Sequence, residues 1–264
     1  MLIENTLLGE RDKVKIAIAR IKEFEPQDRE YILGFSGGKD SIVCYHLMKM
    51  AGVKFKAIYS QTSVDPPELI HYIRKNYKDV IFNKYAVDKN GVTLNMWNLI
   101  PKKLLPPTRR VRYCCDILKE RTGGPGDHIV LGVRWAESSA RSKLPMIGFF
   151  KKKVMVRPII DWSHEEVWEF IKLYNIPYCE LYDQGWERIG CIGCPLGKNQ
   201  KKELEQYPKF KEAYIRAFER MIQNRKEKGK KCKWQTGEEV LKWWLGECIE
   251  QNKTLEGQCS MFSD

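Results

Sequence analysis

The chain alternates between short apolar, β-branched runs and longer stretches in which apolar positions recur every three or four residues. Runs of the first kind at 31–35, 53–59, 80–85 and 128–133 predict buried strands. Helical spacing lies around and between them, at 11–24, 40–51, 66–77 and 92–103, the last two opening near Pro or Gly. A further helix is expected over 163–174, with Asp161 and Ser163 as candidate N-caps and Glu166 placed to complete a capping box with Ser163. Two or three more helices are expected between residues 203 and 250. Strands that alternate with helices predict an α/β fold, a doubly wound parallel sheet of about five strands with helices on both faces. The expected division is a domain over 1–197 followed by a basic helical C-terminal region over 198–264.

Composition narrows this picture. A chain of 264 residues, 43% of them hydrophobic, can bury one sizeable core plus a smaller appendage. No apolar stretch reaches the roughly 18 residues that would cross a bilayer, and the opening MLIENTLLGERDK has no basic start or long apolar middle, so a cytoplasmic location is expected. The net charge is +12 and unevenly placed: residues 198–233 hold 13 Lys and Arg against 5 Asp and Glu, and residues 102–121 hold 7 against 2. Such clusters suit a polyanion, and equally a solvated helical surface. Trp234, Trp243 and Trp244 interleave with the basic C-terminal region, as aromatic groups do in a nucleic-acid track, but Leu241, Trp244, Leu245 and Cys248 share one helical face, which favours packing.

The most specific motif follows the first predicted strand. In SGGKDS, residues 36–41, Gly37 and Gly38 allow a sharp turn that brings backbone N–H groups close to an anion, and the positive end of the following helix points at the same spot. Lys39 supplies a mobile positive charge, and Ser36 and Ser41 supply hydroxyl donors. The spacing is neither the Walker A loop nor the dinucleotide-binding G-x-G-x-x-G. Nine cysteines exceed what packing needs, and a reducing compartment argues against a disulfide framework. Cys114 and Cys115 are neighbours, and Cys191 and Cys194 form a C-x-x-C. Four thiolates drawn from such pairs suit one zinc ion less well than a larger inorganic body, while zinc and unligated thiols remain open.

SGGKDS directly after a strand resembles the PP-loop of the ATP pyrophosphatases, the adenine-nucleotide α-hydrolase group. That resemblance implies that Ser36, Gly37, Gly38, Lys39, Asp40 and Ser41 bind pyrophosphate with Mg²⁺, Lys39 as electrostatic stabiliser and Asp40 organising the metal or the loop. The cysteine arrangement resembles the cluster-binding set of adenylyl-sulfate reductases and implies a [4Fe–4S] cluster on Cys114, Cys115, Cys191 and Cys194. GVRWAESSAR is similar to the G-x-R-x-x-E-S-x-x-R element of phosphoadenylyl-sulfate (PAPS) and adenylyl-sulfate reductases, which implies that Arg134 and Arg141 meet phosphate or sulfate oxygens and that Glu137 and Ser138 shape the loop. The resemblance spans about residues 30–197.

Two departures qualify it. The reductases carry a nucleophilic cysteine in a Glu-Cys-Gly-type tail, whereas this tail reads LEGQCSMFSD around Cys259; and reductases tend to have a degraded phosphate loop, whereas this one is intact. The expected activity is therefore ATP cleavage at the α-phosphate in sulfur transfer or modification, as in DNA phosphorothioation ATPases. The implied partners are an adenine nucleotide, nucleic acid on the basic surface and a sulfur-donor protein. A sulfonucleotide reductase releasing sulfite and a non-catalytic nucleotide-binding subunit are the alternatives.

Overall fold

The computed structural model describes residues 2–6, 9–83 and 85–247. It divides into two compact units, one built from the residues up to Leu94 together with Cys115–Cys191, the other from Asn95–Cys114 together with the residues from Ile192 onward. This differs from a single boundary at residue 197. The reason is the helix Met96–Lys103, which packs on the C-terminal helix Pro208–Glu227.

The first unit opens with a two-stranded antiparallel hairpin, β1 (Ile3–Thr6) and β2 (Gly9–Asp12). Asp12 then caps α1 (Lys13–Glu23), its carboxylate accepting from the Val14 and Lys15 amides. The main sheet has six strands. Their spatial order is β5 (Ile81–Asn83), β4 (Phe55–Ser60), β3 (Tyr31–Gly34), β6 (His128–Val130), β8 (Lys153–Val156) and β7 (Ile147–Phe150). The first five run parallel, and β7 pairs antiparallel with β8 at the edge. The fold is thus α/β with a mainly parallel sheet and flanking helices.

From β3 the chain crosses through α2 (Lys39–Ala51) to β4 on one side, and later returns to β6 on the other. Strand order therefore reverses beside β3, and ligands of open parallel sheets sit beyond the carboxyl ends of the strands at such a point. Tyr31, Leu33, Ile42, Val43, Leu47 and Met48 bury the contact of β3 with α2. Helix α3 (Pro67–Asn76) follows β4 and buries Leu69 and Ile73. Helices α1, α2 and α5 (His164–Leu173) pack side by side, with Lys13 and Glu166 paired at 2.6 Å between α1 and α5.

The cap of α5 is Ser163, which closes the expected box with Glu166: Ser163 Oγ accepts the Glu166 amide at 3.2 Å and Glu166 Oε2 accepts the Ser163 amide at 2.7 Å. Asp161, the other candidate, grips Arg20 of α1 through both carboxylate oxygens, at 2.6 and 3.0 Å.

In the second unit the helix from Met96 to Lys103 is α4, followed by α6 (Gln200–Gln206), α7 (Pro208–Glu227) and α8 (Gly237–Trp244). Trp234 and Trp244 are buried, and the Trp244 indole donates to Pro107 O at 2.5 Å, so these two rings serve packing rather than a nucleic-acid track. Cys248 and Cys259 lie outside the described residues. No described helix is long and apolar enough to cross a membrane.

Burial raises the pKa of Asp161, but the Arg20 hydrogen bond and charge outweigh it and hold the carboxyl below its ordinary 3.8. A depressed carboxyl contributes stability above its unfolded pKa and loses it as pH falls through the folded value. Asp161→Asn is therefore expected to lower stability by about 1–3 kcal/mol at pH 7, and by progressively less below pH 4. Urea unfolding at the two pH values measures the difference.

Candidate nucleotide site

The loop after β3 is shaped by one residue. Gly37 has φ +72°, a left-handed conformation, and a Cβ there would stand 2.7–2.8 Å from Ile73 and Leu69 of α3. Gly38 then takes the extended N-cap position of α2. The turn sets the α2 N-terminus at the carboxyl end of the central strand, where the helix dipole favours an anion.

The hydroxyls of this loop work inside it. Ser36 Oγ donates to Ser41 Oγ at 3.1 Å, Ser41 Oγ donates to Gly38 O at 2.8 Å, and Ser41 Oγ also accepts the Ser36 amide at 3.2 Å. Both hydroxyl protons expected to serve a ligand are thereby spent on holding the turn. Lys39 is likewise not a mobile charge. It is buried, its Nζ donates to Glu187 O at 2.7 Å, and the ammonium lies 5.2 Å from the centre of the Tyr182 ring. Burial pushes its pKa below the ordinary lysine value, with the Arg134 charge acting the same way and Asp40 opposing.

Asp40 faces the loop that follows β6. Its Oδ1 accepts from Arg134 Nε at 2.6 Å, and Arg134, itself buried, also donates to Trp162 O at 3.2 Å. Glu137 Oε2 accepts the Arg134 amide at 2.9 Å and pairs with Arg141. The guanidinium of Arg134, expected on phosphate or sulfate oxygens, thus serves Asp40 and a carbonyl, while Arg141 is half-exposed. Ser138 hydrogen-bonds the turn at Arg141, its carbonyl and hydroxyl both accepting from the Arg141 amide. Gly132 makes the close approach possible: a Cβ there would stand 2.6 Å from the Asp40 carbonyl group.

Two residues of this region carry no sequence motif. Tyr182 OH accepts the Lys39 amide at 2.8 Å, and burial raises its pKa. Lys119, exposed, meets the thiol region of the first unit, where the charges of Cys191, Asp65 and Cys115 raise its pKa. Cys191 Sγ lies 3.4 Å from Thr62 Oγ1, and Thr62 is fixed by Asp65 through its hydroxyl and its amide. Distance in sequence hid both lysine and tyrosine.

Of the four cysteines expected to bind a cluster, Cys115 and Cys191 belong to the first unit and Cys114 and Cys194 to the second. All four are partly exposed thiols, a donor set of the right chemistry for an iron–sulfur centre. Among the described residues no group of three or more His, Cys, Asp or Glu side chains is arranged to hold a metal ion.

The crowding at Gly37 sets an expectation. Gly37→Ala forces an L side chain into the left-handed region and against two α3 side chains, and should cost about 2–4 kcal/mol of stability. Gly91, also at positive φ but with nothing within 4 Å of a Cβ, is the matched control: Gly91→Ala should lose only the conformational part. Thermal unfolding of the two variants makes the comparison.

The family model of the phosphoadenosine phosphosulfate reductase domain matches residues 30–197, the stretch that runs from β3 past the second cysteine pair. An uncharacterized protein of Methanocaldococcus jannaschii is 30% identical over 83% of this chain and 55% of its own length. The adenosine 5'-phosphosulfate reductase of Shouchella clausii is 40% identical over 31% of this chain and 36% of its own. A crystal structure of PAPS reductase from Candida auris in complex with phosphate aligns over 68% of this chain and 87% of that one, at 16% identity and a TM-score of 0.49. The chain spans about half the length of the first curated relatives it matches, 55% and 43%. With the family model covering well over half of its residues, this chain belongs to the phosphoadenosine phosphosulfate reductase domain family.

Proposed function

We propose that the protein is a PP-loop enzyme that cleaves ATP between its α and β phosphates and uses the reaction for sulfur transfer or modification. The observation that carries this reading is the complete SGGKDS loop, with Gly37 in its left-handed turn, α2 beginning directly after Gly38 and Lys39 buried at its base. An acceptor oxygen attacks the α-phosphorus, the bridging P–O bond to the β-phosphate breaks, and the electron pair leaves on pyrophosphate. The leaving group gathers negative charge in the transition state, so fixed donors at that place lower the barrier.

In this reading the backbone of Gly37 and Gly38 and the α2 dipole receive the pyrophosphate, and the Lys39 ammonium neutralises it. Asp40, held by Arg134, keeps the first turn of α2 in place. Mg²⁺ enters with the triphosphate. Arg141 is the guanidinium left to meet an anionic oxygen of the nucleotide or acceptor, with Glu137 orienting it. The basic composition makes nucleic acid the favoured acceptor and a sulfur-donor protein the source of sulfur. Cys114, Cys115, Cys191 and Cys194 would hold the [4Fe–4S] cluster, which when bound supplies sulfur or electron chemistry or a structural tie. A second reading, a sulfonucleotide reductase releasing sulfite, is favoured by relatives that bear the name adenosine 5'-phosphosulfate reductase.

Anaerobically purified protein offered ATP, adenylyl sulfate and PAPS in parallel separates the two. Pyrophosphate from ATP is the expected product; sulfite from either sulfonucleotide with no pyrophosphate hands the case to the reductase. Lys39→Ala should reduce pyrophosphate release about 10²–10³-fold. Because burial lowers the Lys39 pKa from 10.5, kcat/KM should fall on the alkaline side before pH 10.5, as the ammonium loses its proton. Lys39→Arg should move that limb to higher pH. Iron and acid-labile sulfide should be recovered in equal amounts and be lost together in Cys191→Ser, whereas zinc in their place would exclude the cluster.

A further inference from the structure

The hairpin of β7 and β8 ends in a two-residue turn, Lys151 and Lys152, between the paired residues Phe150 and Lys153. Both turn residues have positive φ, 49° and 61°, a conformation that two-residue hairpin turns normally assign to Asn and Gly. Two long cationic side chains are thus held where a smaller residue would fit with less strain. Beside them Phe149 is 82% exposed, on an edge strand, with Val154 as its cross-strand partner. Phe150 points to the opposite face of the strand and lies under the Lys151 ammonium at 5.1 Å.

The chain segment that forms the tip carries charge of one sign, and the acids near it, Asp116 and Glu120, come from another segment and are taken up by Lys151. From Ser138 to Ile160 the chain contains six Lys and Arg and no Asp or Glu. Lys153 and Arg157 are buried on carbonyls, and Lys151 is paired with Asp116 and Glu120. Lys152 is exposed and makes no ion pair among the described residues. One solvent-facing aromatic ring beside an exposed ammonium does not suit an apolar partner, which would bury the lysines without compensation. It suits a strand of nucleotides, in which each base offers a π-face and each linkage a negative charge. A duplex keeps its bases stacked inside and has no use for the ring.

We propose that the tip of the β7–β8 hairpin binds single-stranded nucleic acid, Phe149 stacking on a base and Lys152 meeting a phosphate. This rests on the nucleic-acid part of the reading above and is independent of ATP cleavage. The test uses the full chain and a fluorescein-labelled oligothymidine 20-mer, with fluorescence anisotropy between 50 and 200 mM salt and an RNA oligouridine in parallel. Phe149→Ala should weaken binding about 5–100-fold, and Phe149→Trp should restore it. Lys152→Gln should reduce the slope of log affinity against log salt by about 0.7. Pyrophosphate release from ATP without acceptor should be the same in all three variants and the parent. The proposal is overturned by a parent protein that does not bind, by variants that bind like the parent, or by tighter binding to the matching duplex. It is overturned in favour of a membrane contact if Phe149→Ala abolishes flotation with phosphatidylserine vesicles while oligonucleotide binding is unchanged. Failure of oligonucleotide binding leaves ATP cleavage standing, and failure of ATP cleavage leaves the binding result interpretable.

Discussion

The ion pair between Asp40 and Arg134 governs the architecture of the nucleotide end of the sheet. It joins the first turn of α2, which follows β3, to the loop that follows β6, and these are the two strands between which the strand order reverses. Arg134 is almost fully buried, so its charge would cost several kcal/mol without a carboxylate in contact. The pair forms at 2.6 Å only because Gly132 brings its backbone against the Asp40 carbonyl, a space that any side chain would fill. Conformational freedom of one glycine and electrostatic demand of one arginine therefore hold the two sides of the crevice in register.

The same logic of prior organisation extends through the loop. Ser36 and Ser41 close on each other and on Gly38 O, Tyr182 receives the Lys39 amide, and Glu187 O receives its ammonium. These contacts fix the loop in advance, and fixed dipoles lose less free energy to reorganisation than mobile ones. The buried ammonium gains from the arrangement as well, since a charge that is poorly solvated before binding is offset more strongly by a phosphate than an exposed one. Nearby, Arg141 is tied to Glu137 and to the Ser138 turn, and the charge of Arg188, itself exposed, acts on Lys39 and Tyr182.

Outside the crevice the chain devotes its charge to other ends. Lysines 153 and 13 and arginines 20 and 157 are consumed by carbonyls and carboxylates that tie elements together within the first unit. A net charge of +12 thus overstates the free cationic surface. Much of what remains exposed lies on α6 and α7, from Lys201 to Lys226, and at the hairpin tip of Lys151 and Lys152 backbone strain accompanies it.

Strands β3, β4, β5 and β6 were legible as short apolar, β-branched runs, whereas β8 was not predicted, and the α5 cap was legible because Ser163 and Glu166 lie three residues apart. SGGKDS was legible for the same local reason: a strand, two glycines and a helix fix where an anion can sit. The edge strand β7 and the β1–β2 hairpin were not, being four-residue segments whose pairing depends on a neighbour rather than on their own pattern. Lys39, Tyr182, Arg134 and Lys119 belong to a third kind. Their residue types are visible in the chain, but whether an ammonium is mobile or buried, or a guanidinium faces a ligand or a carboxylate, depends on partners as much as 148 residues away. Sequence alone determined the helices, four of the strands and the SGGKDS loop, because those follow from short-range sterics and periodic burial; only the tertiary structure decided the remaining strands and how each charge is used, because strand pairing and electrostatic partners are set by the packing of distant segments.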